Sequence, residues 1–315
     1  MQTLKILIEK WFYEYERNII KPSSAACYYT HIYNHIIPKL GDYSIEELKP
    51  LMLQKYFFEL YEKGRVESKG GLSGKTVQDN YIVLNNFYNY LVMKEMIQQN
   101  PCSGIKLPKD YKTPIRVLSR GEQKKIEEAV RNSKNENSFG IILCLYTGIR
   151  IGELCGLRME DVELTQKILH VRGTVQRIKN IDKNVKATTV VYGTPKSIAS
   201  IRDIPLADPI CEILKERVSG DRKSLLVPKK GKFVEPRVYQ KHFQYIVKEA
   251  GIKSANFHSL RHTFATRALE AGMDYKTLSE LLGHSNPTIT LKTYAHSLLE
   301  EKRRAINLVG NLYSA

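Results

Sequence analysis

Acidic residues are in short supply in this chain. Its 315 residues hold Lys+Arg 49 against Asp+Glu 33, which leaves a formal net charge of +16 and a pI near 9.5. That imbalance favours a polyanionic partner, either nucleic acid or an anionic membrane surface, over a merely soluble basic protein. Long apolar runs are also missing: none approaches the ~20 residues a transmembrane helix needs. The opening stretch, Met1-Gln2-Thr3-Leu4-Lys5-Ile6-Leu7-Ile8-Glu9-Lys10, is broken by charge too early for a signal peptide. Cys27, Cys102, Cys144, Cys155 and Cys211 are odd in number, scattered and without a C-x-x-C pair. This excludes a disulfide framework and a zinc module, and predicts reduced, buried thiols in a cytoplasmic protein. There is no internal repeat and no low-complexity tract.

What is present suits about two domains of roughly 100–200 residues. The fold class expected is mainly α with a small β-sheet (α+β). Residues 1–106 read as a helical bundle. Ser23 or Ser24 is placed to cap a helix running to about His35, and Gly41 follows its end. Pro50 suits the first position of the next helix. Leu53, Tyr56, Phe57 and Leu60 form a stripe at helical spacing, as do Val77, Tyr81, Leu84, Tyr88 and Leu91. Residues 107–116 form the basic interdomain linker, within a stretch from about Ser103 where the helical pattern fades. Lys106, Lys109 and Lys112 are its candidate DNA-binding residues.

The second domain, residues 117–315, mixes elements. Ser119-Arg120-Gly121-Glu122 reads as a capping box. Helices are expected at about 120–132 and 137–147, with Gly148 in the left-handed conformation after the second. Residues 167–205 look β-rich, including a polar, lysine-rich hairpin at 178–187. Helices are expected again from about 207, with Asn286-Pro287 starting one of them.

The chemistry gathers in this half. Phosphodiester transfer needs neutralisation of the phosphoryl oxygens, a nucleophile and a proton for the departing oxygen. Arginine meets the first need with a planar, permanently charged fork. Arg150 follows Thr147-Gly148, and Glu153, three residues on, is placed to orient it from behind. His258, Arg261 and His262 share one helical face. His258 and His262 also have the i, i+4 spacing of metal ligands, but Ser259 stands where a zinc protease carries glutamate, and no third ligand is near. No metal is therefore expected, and His262 is read as structural. His284 follows Leu281-Leu282-Gly283, and Tyr294 comes ten residues later. A tyrosine hydroxyl is a weak nucleophile until positive charge or a base activates it. Lys196, in Thr194-Pro195-Lys196-Ser197, would lie in a hairpin, with Lys179, Lys183 and Lys186 as nearby competitors.

In order, context and spacing, Arg150, Lys196, His258, Arg261, His284 and Tyr294 resemble the catalytic set of the tyrosine recombinase (phage integrase) family. The resemblance covers nearly the whole chain, with the first domain similar to the family's helical, SAM-like core-binding domain. It implies that Tyr294 attacks DNA to form a 3′-phosphotyrosine link. Arg150 and Arg261 would stabilise the phosphorane, His258 and His284 would bond it, Lys196 would protonate the 5′-oxygen, and Glu153 would support the site. Double-stranded DNA sites are the implied partner, with a homotetramer exchanging strands through a Holliday junction and accessory DNA-bending or directionality factors possible partners. No cofactor and no membrane are implied, and the implied location is the bacterial cytoplasm, with the nucleoid.

The core-binding pattern begins almost at Met1, so no N-terminal arm-binding domain is expected. That leaves a phage or transposon integrase, favoured by the insertion at 178–187, or an Xer-like dimer resolvase. A type IB topoisomerase, an inactive DNA-binding relative and a metal nuclease are further alternatives. They are disfavoured respectively by the helical N-terminal domain, the intact residue set and the lack of a carboxylate cluster. The apolar tail, Ile306, Leu308, Val309 and Leu312 after Glu300-Glu301-Lys302-Arg303-Arg304, docks either on a neighbouring protomer or on its own domain.

Overall fold

The computed structural model describes residues 2–66, 68–110, 115–181, 187–193, 198–218, 221–294, 306–307 and 309–310. Contacts divide it into two compact units, Met1–Thr113 with Ile178–Thr189, and Pro114–Arg177 with Val190–Ala315.

The first unit is helical. Helix α1 (Leu4–Lys10) passes through a π-helical stretch, Trp11–Glu16, into α2 (Arg17–Ile19). Helix α3 (Pro22–His31) passes through a second, Ile32–Ile36, into α4 (Ile37–Leu40). The start expected at Ser23 or Ser24 lies earlier, with Pro22 in the first turn and Lys21 extended before it, and no side chain caps the end. The fixed φ of proline suits that position, and its missing N–H is one of the donors a helix start leaves unpaired in any case. The helical path also runs past His35 to Leu40 before Gly41 ends it. Helix α5 (Pro50–Lys63) begins on Pro50 and buries Leu53, Tyr56, Phe57 and Leu60. Helix α6 (Gly74–Met93) is capped by Ser73, whose Oγ accepts the Thr76 N–H at 3.1 Å. It buries Val77, Leu84, Tyr88 and Leu91 against a core that includes Trp11, Phe12 and Phe57. After α6, Ile105 and Leu107 still pack on this core. The backbone of Lys106 exchanges hydrogen bonds of 2.9 and 2.7 Å with the Gln54 side chain. The stretch from about Ser103 that leads into the expected extended linker is thus docked on this unit at its start. Lys106 and Lys109 are exposed, and Lys112 lies outside the described residues.

The second unit opens on the capping box. Ser119 Oγ accepts the Glu122 N–H at 3.2 Å, and Glu122 Oε2 accepts the Ser119 N–H at 2.8 Å, starting α7 (Arg120–Arg131). Helix α8 (Phe139–Thr147) is apolar nearly all round and correspondingly buried. It ends on Gly148 at φ +67, and the short α9 (Ile151–Leu154) follows. Strands β1 (Val162–Glu163), β2 (Ile168–Val171) and β5 (Arg202–Pro205) form an antiparallel sheet in the order β1-β2-β5, with Leu169 opposite Val162 and Ile204. Strands β3 (Thr174–Lys179) and β4 (Thr188–Gly193) pair separately, and 182–186 of the expected hairpin lie outside the described residues. Helix α10 (Asp208–Lys215) follows. A short hairpin, β6 (Pro228–Lys229) and β7 (Lys232–Phe233), then interrupts the helices expected from 207 onward. Helices α11 (Pro236–Glu249), α12 (His258–Glu270), α13 (Tyr275–Leu282) and α14 (Pro287–Tyr294) complete the described fold. Asn286 Oδ1 accepts the Thr288 N–H at 2.8 Å, so the expected Asn-Pro start is built as a cap.

Helix α12 packs on α8, which sets the end of α8 beside Arg261. Among the cysteines, Cys102, Cys144, Cys155 and Cys211 are buried as expected, but Cys27 is exposed. Among the described residues no helix is long and apolar enough to cross a membrane.

Candidate active site

The site is built on the end of α13. Gly283 takes φ +65, its N–H donates to the Glu280 carbonyl at 2.9 Å, and the His284 N–H donates to the Ser279 carbonyl at 3.0 Å. This paired closure is a Schellman turn. It leaves the next three carbonyls without helical partners, at the negative end of the helix dipole. An arginine from a different stretch takes each one. Arg202 Nε donates to Leu281 O at 2.5 Å, Arg261 Nη2 to Leu282 O at 2.8 Å, and Arg150 Nη2 to Gly283 O at 3.3 Å. Glycine is needed at 283 twice over, for its φ and because a Cβ there would lie 3.0 Å from Arg202 Nη1. Arg261 has a second anchor, since its Nη1 donates to Gly148 O at 2.9 Å, at the left-handed end of α8.

Glu153 binds two of these arginines together. Its Oε2 accepts the backbone N–H of Arg150 at 2.8 Å and its Oε1 accepts Arg150 Nη1 at 2.7 Å. Arg202 meets the same carboxylate through both terminal nitrogens. Burial works to raise the Glu153 carboxyl, but Arg202 and then Arg150 outweigh it and hold its pKa below the ordinary value. Three guanidinium groups thus gather near one carboxylate that bonds two of them, and three minus one leaves a surplus of two positive charges in the cluster among the described residues. Arg150 remains about one-third exposed, so its charge can reach an incoming anion.

His284 is fixed on both sides. Arg261 Nη2 lies 2.8 Å from its Nε2, and Thr290 Oγ1 lies 2.7 Å from its Nδ1. Arginine can only donate, so Nε2 accepts and Nδ1 carries the proton, donating to Thr290. Burial, then Arg261 and Arg150, push His284 down to about 4. The His262 Nδ1 and Tyr294 Oη atoms are 2.8 Å apart, and the His258 ring meets the His262 ring edge-on at 4.5 Å. Desolvation, then His258 and Arg261, lower His262 to about 4. Desolvation, then Arg261 and Arg150, lower His258 as well. For Arg261 itself, burial and then Arg150 lower the pKa to about 9. Tyr294 is 2% exposed, and burial raises its hydroxyl to about 12 against the partial opposition of Arg261. The shifts of Arg261, His258, His262 and His284 all disfavour positive charge, through burial first and neighbouring arginines or histidines second, and a bound anion would oppose the second part.

The structure therefore brings Arg150, Glu153, His258, Arg261, His284 and Tyr294 into one connected cluster of the second unit. Lys196 lies outside the described residues. Arg202, Thr290 and the His262–Tyr294 contact were not anticipated. A signal for Arg202 was available: strand alternation puts it on the same face as Ile204, and both are buried while Ile201 and Asp203 are exposed.

Comparison with known proteins agrees with this geometry. Residues 116–301 match the model of the phage integrase family, and residues 3–61 match the phage integrase N-terminal SAM-like domain. A tyrosine recombinase XerC-like protein of Caldanaerobacter subterraneus subsp. tengcongensis is 30% identical over 99% of this chain and 83% of its own length. A tyrosine recombinase of Thermosipho africanus is 30% identical over 76% of this chain and 79% of its own. The Tn1549 transposon integrase, solved in complex with transposon right end DNA, shares the fold with a TM-score of 0.80 and 23% identity, covering 98% of this chain and 100% of that one. A lambda integrase dimer bound to a COC′ core site has a TM-score of 0.66 at 17% identity, covering 92% of this chain and 77% of that one. The chain belongs to the phage integrase family of tyrosine recombinases, site-specific enzymes that cleave and rejoin DNA.

Proposed function

We propose that the cluster cleaves one DNA strand by attack of the Tyr294 oxygen on phosphorus, leaving a 3′-phosphotyrosine and a 5′-hydroxyl. The observation that carries this reading is the convergence of three arginines on the end of α13, next to the helix that bears Tyr294. Arg150 and Arg261 supply hydrogen bonds to the non-bridging oxygens, where one preorganised donor contributes about 3 kcal/mol. His258 and His284 line the same phosphate, Glu153 orients Arg150, and Lys196 delivers the proton to the departing 5′-oxygen. The covalent link conserves the bond energy, so the reaction proceeds without ATP and in the presence of a chelator.

On this reading the enzyme works as a homotetramer on two duplexes, through a Holliday junction, in the bacterial cytoplasm with the nucleoid. Accessory DNA-bending or directionality factors would act on the same complex. Lys106, Lys109 and Lys112 contact the DNA backbone, which makes affinity fall steeply with salt. Integration and excision of a mobile element is the favoured role, supported by the fold match to a transposon integrase over 98% of the chain. An Xer-like resolvase is the second reading, favoured by the 30% identity to the XerC-like relative over 99% of the chain.

The test is covalent trapping in EDTA on nicked suicide duplexes, beside Tyr294→Phe. A detergent-stable protein–DNA band that vanishes in the variant supports tyrosine-based strand transfer. A band that survives Tyr294→Phe refutes it. Sequencing the trapped junctions separates the roles: ends of a mobile element support the integrase, and one chromosomal site shared by sister copies supports the resolvase.

A further inference from the structure

We propose that His262, through Nδ1, takes up the proton of the Tyr294 hydroxyl as its oxygen attacks phosphorus. This rests on the reading of Tyr294 as the nucleophile.

The two atoms are 2.8 Å apart, and the rings meet edge-on at 5.7 Å between centroids. Tyr294 is almost wholly buried, its ring packed with Ala265, Ala268, Leu269, Leu278 and Leu282, so bulk water does not receive the proton. Among the described residues Oη has no other hydrogen-bond partner. The other histidines nearby do not reach Oη. His284 Nε2 accepts from Arg261 and its Nδ1 donates to Thr290, while His258 meets the His262 ring edge-on and makes no hydrogen bond to Tyr294. The tautomer follows from the same accounting. A neutral phenol has one proton to place, and the acceptor beside it is Nδ1, which puts the His262 proton on Nε2. The reverse assignment leaves the phenolic proton without an acceptor among the described residues.

The step balances. The Oη–H bond breaks and its proton goes to Nδ1. The Oη–P bond forms as P–O5′ breaks, and O5′ keeps that pair and takes a proton from Lys196, in the role proposed above. His262 is then an imidazolium beside the new phosphodiester. On rejoining, the 5′-hydroxyl gives its proton back to Lys196 and displaces Oη, and Nδ1 returns its proton to Oη.

Among the described residues, the charged and titratable groups facing His262 are His258 and Arg261 on its own helix and Tyr294 on α14. Desolvation, then His258 and Arg261, lower its basicity. A phosphodiester seated on Arg261 offsets the Arg261 share of that shift and makes His262 a better acceptor with substrate in place.

The experiment uses the full chain and suicide duplexes captured covalently by the wild type from a randomised nicked pool. Single-turnover cleavage is followed from pH 5 to 9 for wild type, Tyr294→Phe, His262→Gln and His262→Phe. Glutamine keeps an acceptor for Oη but cannot hold a proton. His262→Gln is expected to bind the duplexes normally, to cleave on the order of 10²-fold more slowly or worse, and to lose the acidic limb of the pH profile. Cleavage by His262→Gln within about threefold of wild type, with an unchanged profile, overturns the assignment and leaves His262 as packing. A covalent complex that persists in Tyr294→Phe instead overturns the reading of the nucleophile. Nitrogen-15 NMR of wild type covers the case of a misfolded variant: an unprotonated His262 Nδ1 that responds to Tyr294→Phe supports the proposal, and a protonated Nδ1 sinks it.

Discussion

Arg202 and Glu153 meet edge to edge, Nη1 to Oε1 at 3.2 Å and Nη2 to Oε2 at 3.0 Å, with both side chains buried. A buried pair of this kind is costly to break from one side, because the charge left behind keeps its desolvation penalty. Arg202→Ala should therefore destabilise the protein by about 3–5 kcal/mol, read from urea unfolding. Arg202→Lys should recover little of it, since one ammonium cannot reproduce the fork that also reaches Leu281 O. Near-wild-type stability in Arg202→Ala would mean that Arg150 alone satisfies Glu153.

Acid should loosen the second unit in a defined window. His262 and His284 lie near 4 in the fold, against an ordinary 6.5. The unfolded chain thus binds protons that the fold refuses. Stability is highest above pH 6.5, falls as pH drops from there towards 4, and levels off with respect to these groups below that. Urea midpoints taken across this range should trace the decline, and His262→Gln should flatten it. An equally steep decline in the variant would assign the sensitivity elsewhere.

Thr290 and Tyr294 stand one turn apart on α14, so the helix that carries the proposed nucleophile also fixes the His284 tautomer. Thr290→Val keeps the shape and removes the acceptor. An unpaired buried Nδ1–H costs about 1–3 kcal/mol. Covalent-complex formation should slow with it, while Thr290→Ser should behave like wild type. Equal rates for the valine and serine variants would show that Arg261 alone orients the ring.

Gly148 presents its carbonyl to Arg261 from a left-handed backbone, and a Cβ there would come 2.5 Å from Phe264 Cδ1. Gly148→Ala should cost more than about 1 kcal/mol, combining strain with a clash. Its cleavage rate should fall further than its DNA affinity, because the misplaced group holds Arg261, the arginine proposed to bind the phosphate. A melting temperature equal to wild type would contradict this.

The helices were legible where local chemistry decides them. The stripe Leu53, Tyr56, Phe57 and Leu60 is buried as its spacing requires, and Ser119 with Glu122 closes both bonds of its box. Gly148 is left-handed as its place after an apolar helix suggested. The π-helical stretches at Trp11–Glu16 and Ile32–Ile36 carry no residue pattern that sets them apart from α-helix. The site divides the same way. His258 with Arg261 could be read from a helical face, while Arg150 and Glu153, though near in sequence, pair because Arg150 is the extended N-cap of α9 and Glu153 reaches back to it from the first turn. Arg202 with Glu153, Thr290 with His284 and His262 with Tyr294 are tertiary contacts, and no local rule selects those partners among 49 basic residues and 19 tyrosines.

The single turn at the end of α13 that receives Arg150, Arg202 and Arg261 has a consequence for the life of the chain before it is fully folded. The arginines come from the α8–α9 junction, a β-strand and a later helix, so none reaches its carbonyl until all these pieces are in place. A nascent or partly unfolded copy thus has no assembled grip on a phosphate, even though its basic charge draws it to DNA. On the proposed reading, competence to cut arrives only with completed folding.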